Sequence, residues 1–143
     1  MLISTKGRYA LRVMIDLAEH QTDGYIPLKE VAQRQDISEK YLETIIRLLV
    51  KANILSGLRG KGGGYKLTKS PDQYTVGAIL RLTEDSLAPV SCLGPGAAVC
   101  ARAAECRTLH MWQGLAKVIH EYLDNVTIAD LMKSGAAGDN YVI

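Results

Sequence analysis

The chain has no apolar run near the roughly 18 residues that a membrane span needs, so no spanning helix is expected. Its opening, Met1 to Lys6, is not a charged stretch leading into an apolar one. No secretory signal is therefore expected, and the cytoplasm is the expected compartment. Cysteine is scarce, with 3 in 143 residues, and in that compartment structural disulfides are not expected. No paired catalytic acids and no second cofactor motif are visible, so an enzyme or electron carrier has little support. Nucleotide-binding patterns are missing too. Gly60-Lys61 is followed by Gly62 rather than Ser or Thr, and the place five before Gly60 holds Leu55. The dinucleotide pattern fails as well, because no glycine falls at its third place.

What is present fits one modest domain. Hydrophobic residues make up 48%, enough for a single main core. The net charge of +2 says little, but its distribution is uneven. Residues 1–69 hold 12 of the 17 Lys and Arg and 7 of the 15 Asp and Glu, a local charge of +5. Residues 70–143 hold the other 5 and 8, a local charge of −3. A basic first half suits a polyanion-binding module joined to something else.

Apolar spacing of three and four predicts a helix over Ser4–His20, with Tyr9, Ala10, Val13, Met14 and Leu17 on one face. Gly24 breaks it, and Pro27 opens a short helix with Leu28, Val31 and Ala32 inward. Ser38 is a good N-cap for a helix to about Asn53, with Leu42, Ile45, Ile46, Leu49 and Val50 inside. Ile54–Leu58 and Tyr65–Leu67 read as a hairpin around a glycine-rich turn. A helix follows over Thr75–Thr83. Residues 85–101, with Pro89, Gly94, Pro95 and Gly96, read as a loop. A long helix is expected from about Ala103 to Asp124, and a last short one, Ile128–Lys133, follows the cap Thr127.

The expected fold is mainly α with a small β-hairpin, a winged helix-turn-helix with a long C-terminal dimerisation helix. Its parts are a DNA-binding region (1–84), a cysteine-bearing cluster loop (85–106), the dimerisation and C-terminal helices (107–133) and a small, polar tail (134–143). Two helices joined at Arg34-Gln35-Asp36-Ile37 can present the second to a DNA groove. Ser38 and Tyr41 can donate to phosphate and Lys40 can neutralise one, while Glu43 can accept from a cytosine amino group. Arg59 and Lys61 sit among glycines at the wing tip, which suits a minor groove or a phosphate ribbon. The long helix carries Leu109, Trp112, Leu115, Ala116, Ile119 and Leu123, a stripe wider than one small domain needs. Twofold reading of double-stranded DNA would set two such helices about 34 Å apart in a homodimer.

Ser4-Thr5-Lys6-Gly7-Arg8-Tyr9-Ala10, Tyr41-Leu42-Glu43 and Arg59-Gly60-Lys61-Gly62-Gly63-Gly64-Tyr65 resemble the Rrf family of bacterial winged-helix regulators. The resemblance covers nearly the whole chain, including Thr127 to Leu131. It implies a homodimer joined by the long C-terminal helix, reading a palindromic or pseudo-palindromic promoter site.

Cys92, Cys100 and Cys106 have the spacing C-x7-C-x5-C, and His110 follows. By residue chemistry alone three readings stay open. The thiolates can hold an iron–sulfur cluster. They can bind zinc with His110, although the usual closely spaced pairs are missing. They can also be three unrelated thiols. Cys106 and His110 lie four apart in the expected helix, hence on one face with Cβ atoms about 6 Å apart. The resemblance favours the cluster, because the family's cluster-binding members carry three cysteines in this loop. It implies 2Fe–2S with Cys92, Cys100, Cys106 and His110 as ligands, and 4Fe–4S if the fourth site is open. The most similar cluster-binding members have C-x5-C-x5-C with a histidine three after the last cysteine. Here the first gap is two longer, and position 109 is Leu, with His110 one place later. A nitric-oxide-sensing branch can take an acidic ligand near the N-terminus, where this chain has Arg8. The expected function is a cluster- or redox-responsive DNA-binding regulator. The alternatives are a nitric-oxide- or iron-sensing member and a cluster-free repressor of cysteine metabolism controlled by a protein partner.

Overall fold

The computed structural model describes residues 2–136. Six helices, α1 (Thr5–Glu19), α2 (Leu28–Gln35), α3 (Glu39–Lys51), α4 (Val76–Thr83), α5 (Leu109–Asp124) and α6 (Ile128–Ala136), accompany one antiparallel hairpin of β1 (Leu55–Leu58) and β2 (Gly64–Leu67). The expected mainly helical winged fold is what the chain forms. The small, polar tail expected from Ser134 begins inside α6, and residues 137–143 lie outside the described residues.

α1, α3 and α4 each start where a side chain can satisfy a free first-turn amide, whereas α2 starts after Pro27 with no side-chain cap. Ser4 Oγ accepts from Gly7 N at 3.0 Å, Ser38 Oγ from Tyr41 N at 3.2 Å, and Thr75 Oγ1 from Ala78 N at 3.1 Å. The core gathers one face from each: Ala10, Val13, Met14 and Leu17 of α1, Val31 of α2, and Leu42, Ile45 and Leu49 of α3 are almost wholly enclosed. Burying a side chain of this size stabilises by about 1.5–3 kcal/mol. Α second cluster, Val76, Leu80 and Leu87, lies beneath Leu123 and Val126.

Between α2 and α3 the chain turns on Asp36, at φ 52° and ψ 50°, and plugs the corner with buried Ile37. The hairpin pairs Leu55 with Leu67 and Leu58 with Gly64. A third extended segment joins it, since Ile26 and Tyr65 exchange backbone hydrogen bonds of 2.9 and 2.8 Å. Gly64 permits this. At φ 146°, any Cβ there would drive into the Ile26 carbonyl.

The long helix departs from expectation. It starts at Leu109, with Thr108 at its N-cap position, and not at Ala103. Ala103–Glu105 closes as a single 3₁₀ turn, and Cys106 follows with extended backbone at φ −75° and ψ 109°. The Ala-Ala-Glu run, exposed at Ala104 and Glu105, has local helical propensity but no large apolar residue to pack, so nothing tertiary extends α5 backwards. The irregular segment between α4 and α5 therefore runs to Thr108, relieved by a further 3₁₀ turn at Ser91–Leu93.

α4 and α5 are fastened at their far ends. Arg81 Nη1 and Nη2 donate to the two Asp124 carboxylate oxygens at 2.6 and 2.9 Å. His120 Nδ1 stands 2.8 Å from Arg81 Nη2. Gly77 leaves room for that carboxylate, which a side chain would displace. The α6 start is a reciprocal cap: Thr127 N donates to Asp130 Oδ2 at 2.9 Å, and Asp130 N to Thr127 Oγ1 at 3.1 Å.

Candidate functional site

The outer face of α3 is polar because its inner face is spent on the core. Lys40, Tyr41, Glu43, Thr44, Arg47 and Lys51 are exposed, while Leu42, Ile45, Ile46 and Leu49 are buried. Ser38, Lys40, Tyr41 and Glu43 thus lie together at the start of α3. Ser38 uses its oxygen as the helix cap and keeps its O–H free to donate elsewhere. Arg59 and Lys61 stand exposed at the wing tip, across a groove of about 450 Å³ whose walls include Arg47, Lys51, Leu58 and Tyr65. Arg47 and Lys51 were not singled out in the sequence. Their signal was there: two cations four apart on the face opposite the apolar stripe.

α1 holds this surface in place. Tyr9 meets the Tyr41 ring edge-on, with centroids 5.6 Å apart and planes at 81°. The Arg12 guanidinium lies 5.0 Å from the Tyr9 centroid and bonds Gln35 at both Oε1 (3.1 Å) and the backbone carbonyl. Asp16, buried, accepts from Arg34 Nη2 at 2.8 Å and Nε at 3.0 Å, and from Gln35 Nε2 at 2.9 Å. The bond to Asp16 raises the Arg34 guanidinium above its ordinary pKa, against an opposing burial effect. None of these long-range partners can be read from local spacing.

Cys92, Cys100 and Cys106 are all free and exposed on the irregular segment. Cys92 lies in the 3₁₀ turn at Ser91–Leu93, and His110 is exposed in the first turn of α5. Because Cys106 precedes the helix, it shares no helical face with His110, and the expected i,i+4 geometry is absent. Among the described residues no three His, Cys, Asp or Glu side chains are gathered into a metal site. The Thr108 hydroxyl, 3.5 Å from Cys106 Sγ, pulls that thiol below the ordinary cysteine pKa, which favours the thiolate. The donor set thus has the chemistry for iron or zinc, but it stands apart.

No residue of α5 is buried. Met111, Leu115, Val118 and Tyr122 recur at four, three and four, and are 39 to 69% exposed. Of the stripe expected from sequence, Leu115 lies on this open face. Leu109, Trp112, Ala116, Ile119 and Leu123 are half-buried. No helix among the described residues is long and apolar enough to cross a membrane.

A helix-turn-helix whose second helix faces outward beside a basic hairpin defines the winged helix-turn-helix class. The family model described as "Iron-dependent Transcriptional regulator", Rrf2, matches residues 3–134, and the chain belongs to that family. It is 36% identical to the HTH-type transcriptional regulator IscR of Erwinia tasmaniensis, over 94% of this chain and 80% of that protein. Among solved structures, T. potens IscR superposes with a TM-score of 0.74 at 36% identity, covering 99% of this chain and 94% of that one. The global cysteine regulator CymR of B. subtilis gives 0.74 at 36% identity, covering 93% and 97%. These relatives are transcriptional regulators, not enzymes.

Proposed function

We propose that the chain is a homodimeric, cytoplasmic DNA-binding regulator whose binding responds to an iron–sulfur cluster held by Cys92, Cys100, Cys106 and His110. The observation that carries this is the combination, in one chain, of an outward reading helix with a basic wing and three free, exposed thiols on a single loop. Family membership and likeness to IscR support it.

In this reading Ser38 and Tyr41 donate to phosphates at the groove edge, and Lys40 neutralises a phosphate. Glu43 accepts from a base amino group. Arg47 and Lys51 widen the cationic strip towards the wing, where Arg59 and Lys61 enter the adjoining minor groove. The exposed row Met111, Leu115, Val118 and Tyr122 seats against its equivalent on a second copy, bringing two reading helices to one side. When bound, a cluster supplies a centre sensitive to iron and oxidant. The three thiols must be drawn together by the loop to hold it, and 2Fe–2S suits three thiolates with one imidazole.

The test is anaerobic purification, iron and sulfide analysis, and titration of a labelled duplex with loaded and chelator-stripped protein. A colourless protein that takes up no iron and binds DNA unchanged would remove the cluster. That outcome would favour the cluster-free reading, a repressor governed by a partner protein. The separated donor side chains and the likeness to CymR give that second reading its support.

A further inference from the structure

Glu84 ends α4 at the foot of the cysteine-bearing segment, yet its carboxylate bonds the other end of the chain. Its Oε1 accepts from the Ser4 backbone N–H at 2.6 Å. It lies so close to Gly7 that a Cβ there would touch it at 2.5 Å. A carboxylate at this point meets the positive end of α1 and satisfies an amide at the helix entry. α1 then carries Tyr9, Arg12 and Asp16 on one face, at spacings of three and four. Tyr9 rests on Tyr41, Arg12 holds Gln35, and Asp16 holds Arg34 and Gln35. Those partners are the last two residues of α2, Arg34 and Gln35, and Tyr41 in the first turn of α3. Ser4 caps α1, and Gly7 and Tyr9 fall within its first turn and a half, so the entry that Glu84 holds is the part of α1 nearest the seat of Tyr41.

We propose that Glu84 is a positioning residue for DNA reading: it fixes the attitude of the α3 start by pinning the entry of α1, from the foot of the cysteine loop. This rests on the DNA-reading role proposed for α3. It gives the loop a short physical route to the reading helix, through one carboxylate and one helix whose inner face is buried in the core.

The experiment uses a duplex enriched by the full-length protein from a random pool, and a scrambled duplex of equal length. The affinity ratio of the two is measured for the parent, Glu84→Ala, Glu84→Gln, Tyr9→Leu and the Glu84→Ala/Tyr9→Leu double variant. Thermal unfolding checks that each is folded. Glu84→Ala and Tyr9→Leu should each lower the ratio about fivefold, the scale of one lost aromatic contact. Glu84→Gln keeps an acceptor oxygen and should stay within about twofold of the parent. The double variant should lose no more than either single change, because both act along one route. An unchanged ratio in Glu84→Ala, even with a lowered melting point, overturns the inference alone. So does an additive loss in the double variant. A parent that enriches no sequence overturns the DNA-reading role and the inference with it.

Discussion

Asp16 and Arg34 form a two-pronged ion pair between α1 and α2, with the Asp16 side chain wholly enclosed and Arg34 partly open to water. Arg34→Ala would leave a buried carboxylate with Gln35 as its remaining side-chain hydrogen-bond donor. Breaking a buried pair from one side costs about 3–5 kcal/mol, and the open side of Arg34 places this case near 3. Urea unfolding at neutral pH should show that loss, with little change in the denaturant slope.

At the wing, Lys61→Ala should weaken binding to every duplex about equally and reduce the salt slope by roughly 1. Glu43→Ala should act differently, relaxing preference at one base pair while overall affinity changes less. Fluorescence anisotropy across a salt series, with single-base variants of the enriched site, separates the two. Identical behaviour in both variants would remove this division of labour.

The open row on α5 gives a test of assembly. Val118→Asp and Tyr122→Asp put charges on residues 60 and 69% exposed in the protomer, so its own core should be spared. Sedimentation should find the parent at twice 15.6 kDa and the variants at 15.6 kDa. A parent that sediments only as the smaller species would dispose of the dimer.

Acid should weaken the α4–α5 fastening. The Arg81 hydrogen bonds hold Asp124 below the ordinary carboxylate pKa. A carboxyl whose folded pKa is depressed stabilises the fold above its unfolded value near 4, and that contribution fades as pH falls through the lower folded value. Stability of the parent should therefore drop more steeply than that of Asp124→Asn as pH falls below about 4, as read by urea midpoints. Parallel pH curves would show that the pair contributes nothing.

For the loop, His110→Ala and the parent should be reconstituted side by side under anaerobic conditions. Mössbauer spectra should differ if the imidazole is a ligand. Matching spectra would take His110 out of the ligand set.

Much of the fold was legible because its helices are amphipathic. The rows through Val13 and Leu17, and through Leu42, Ile45 and Leu49, have one solution each. Ser38 and Ile37 marked the corner, and the glycines marked the wing. The start of α5 was not legible, because Ala103–Glu105 has local propensity for helix and only missing tertiary contacts stop it. Nor could the chain show which apolar residues of α5 its protomer covers. Met111, Val118 and Tyr122 look no different in sequence from Trp112 and Ile119. The Asp16–Arg34 and Glu84–Ser4 contacts join residues 18 and 80 places apart, beyond any local pattern.

A helix with sixteen residues and none buried has a further consequence. Its persistence is only partly a property of the single chain, because the lone protomer steadies it chiefly along α4. Under the proposed assembly, abundance becomes a structural variable. Scarce copies would carry α5, and the thiols just ahead of it, on a support that breathes, while plentiful copies would stiffen it. Amide exchange along α5 that slows with protein concentration, beside α3 amides that do not, would show a regulator that takes account of its own number.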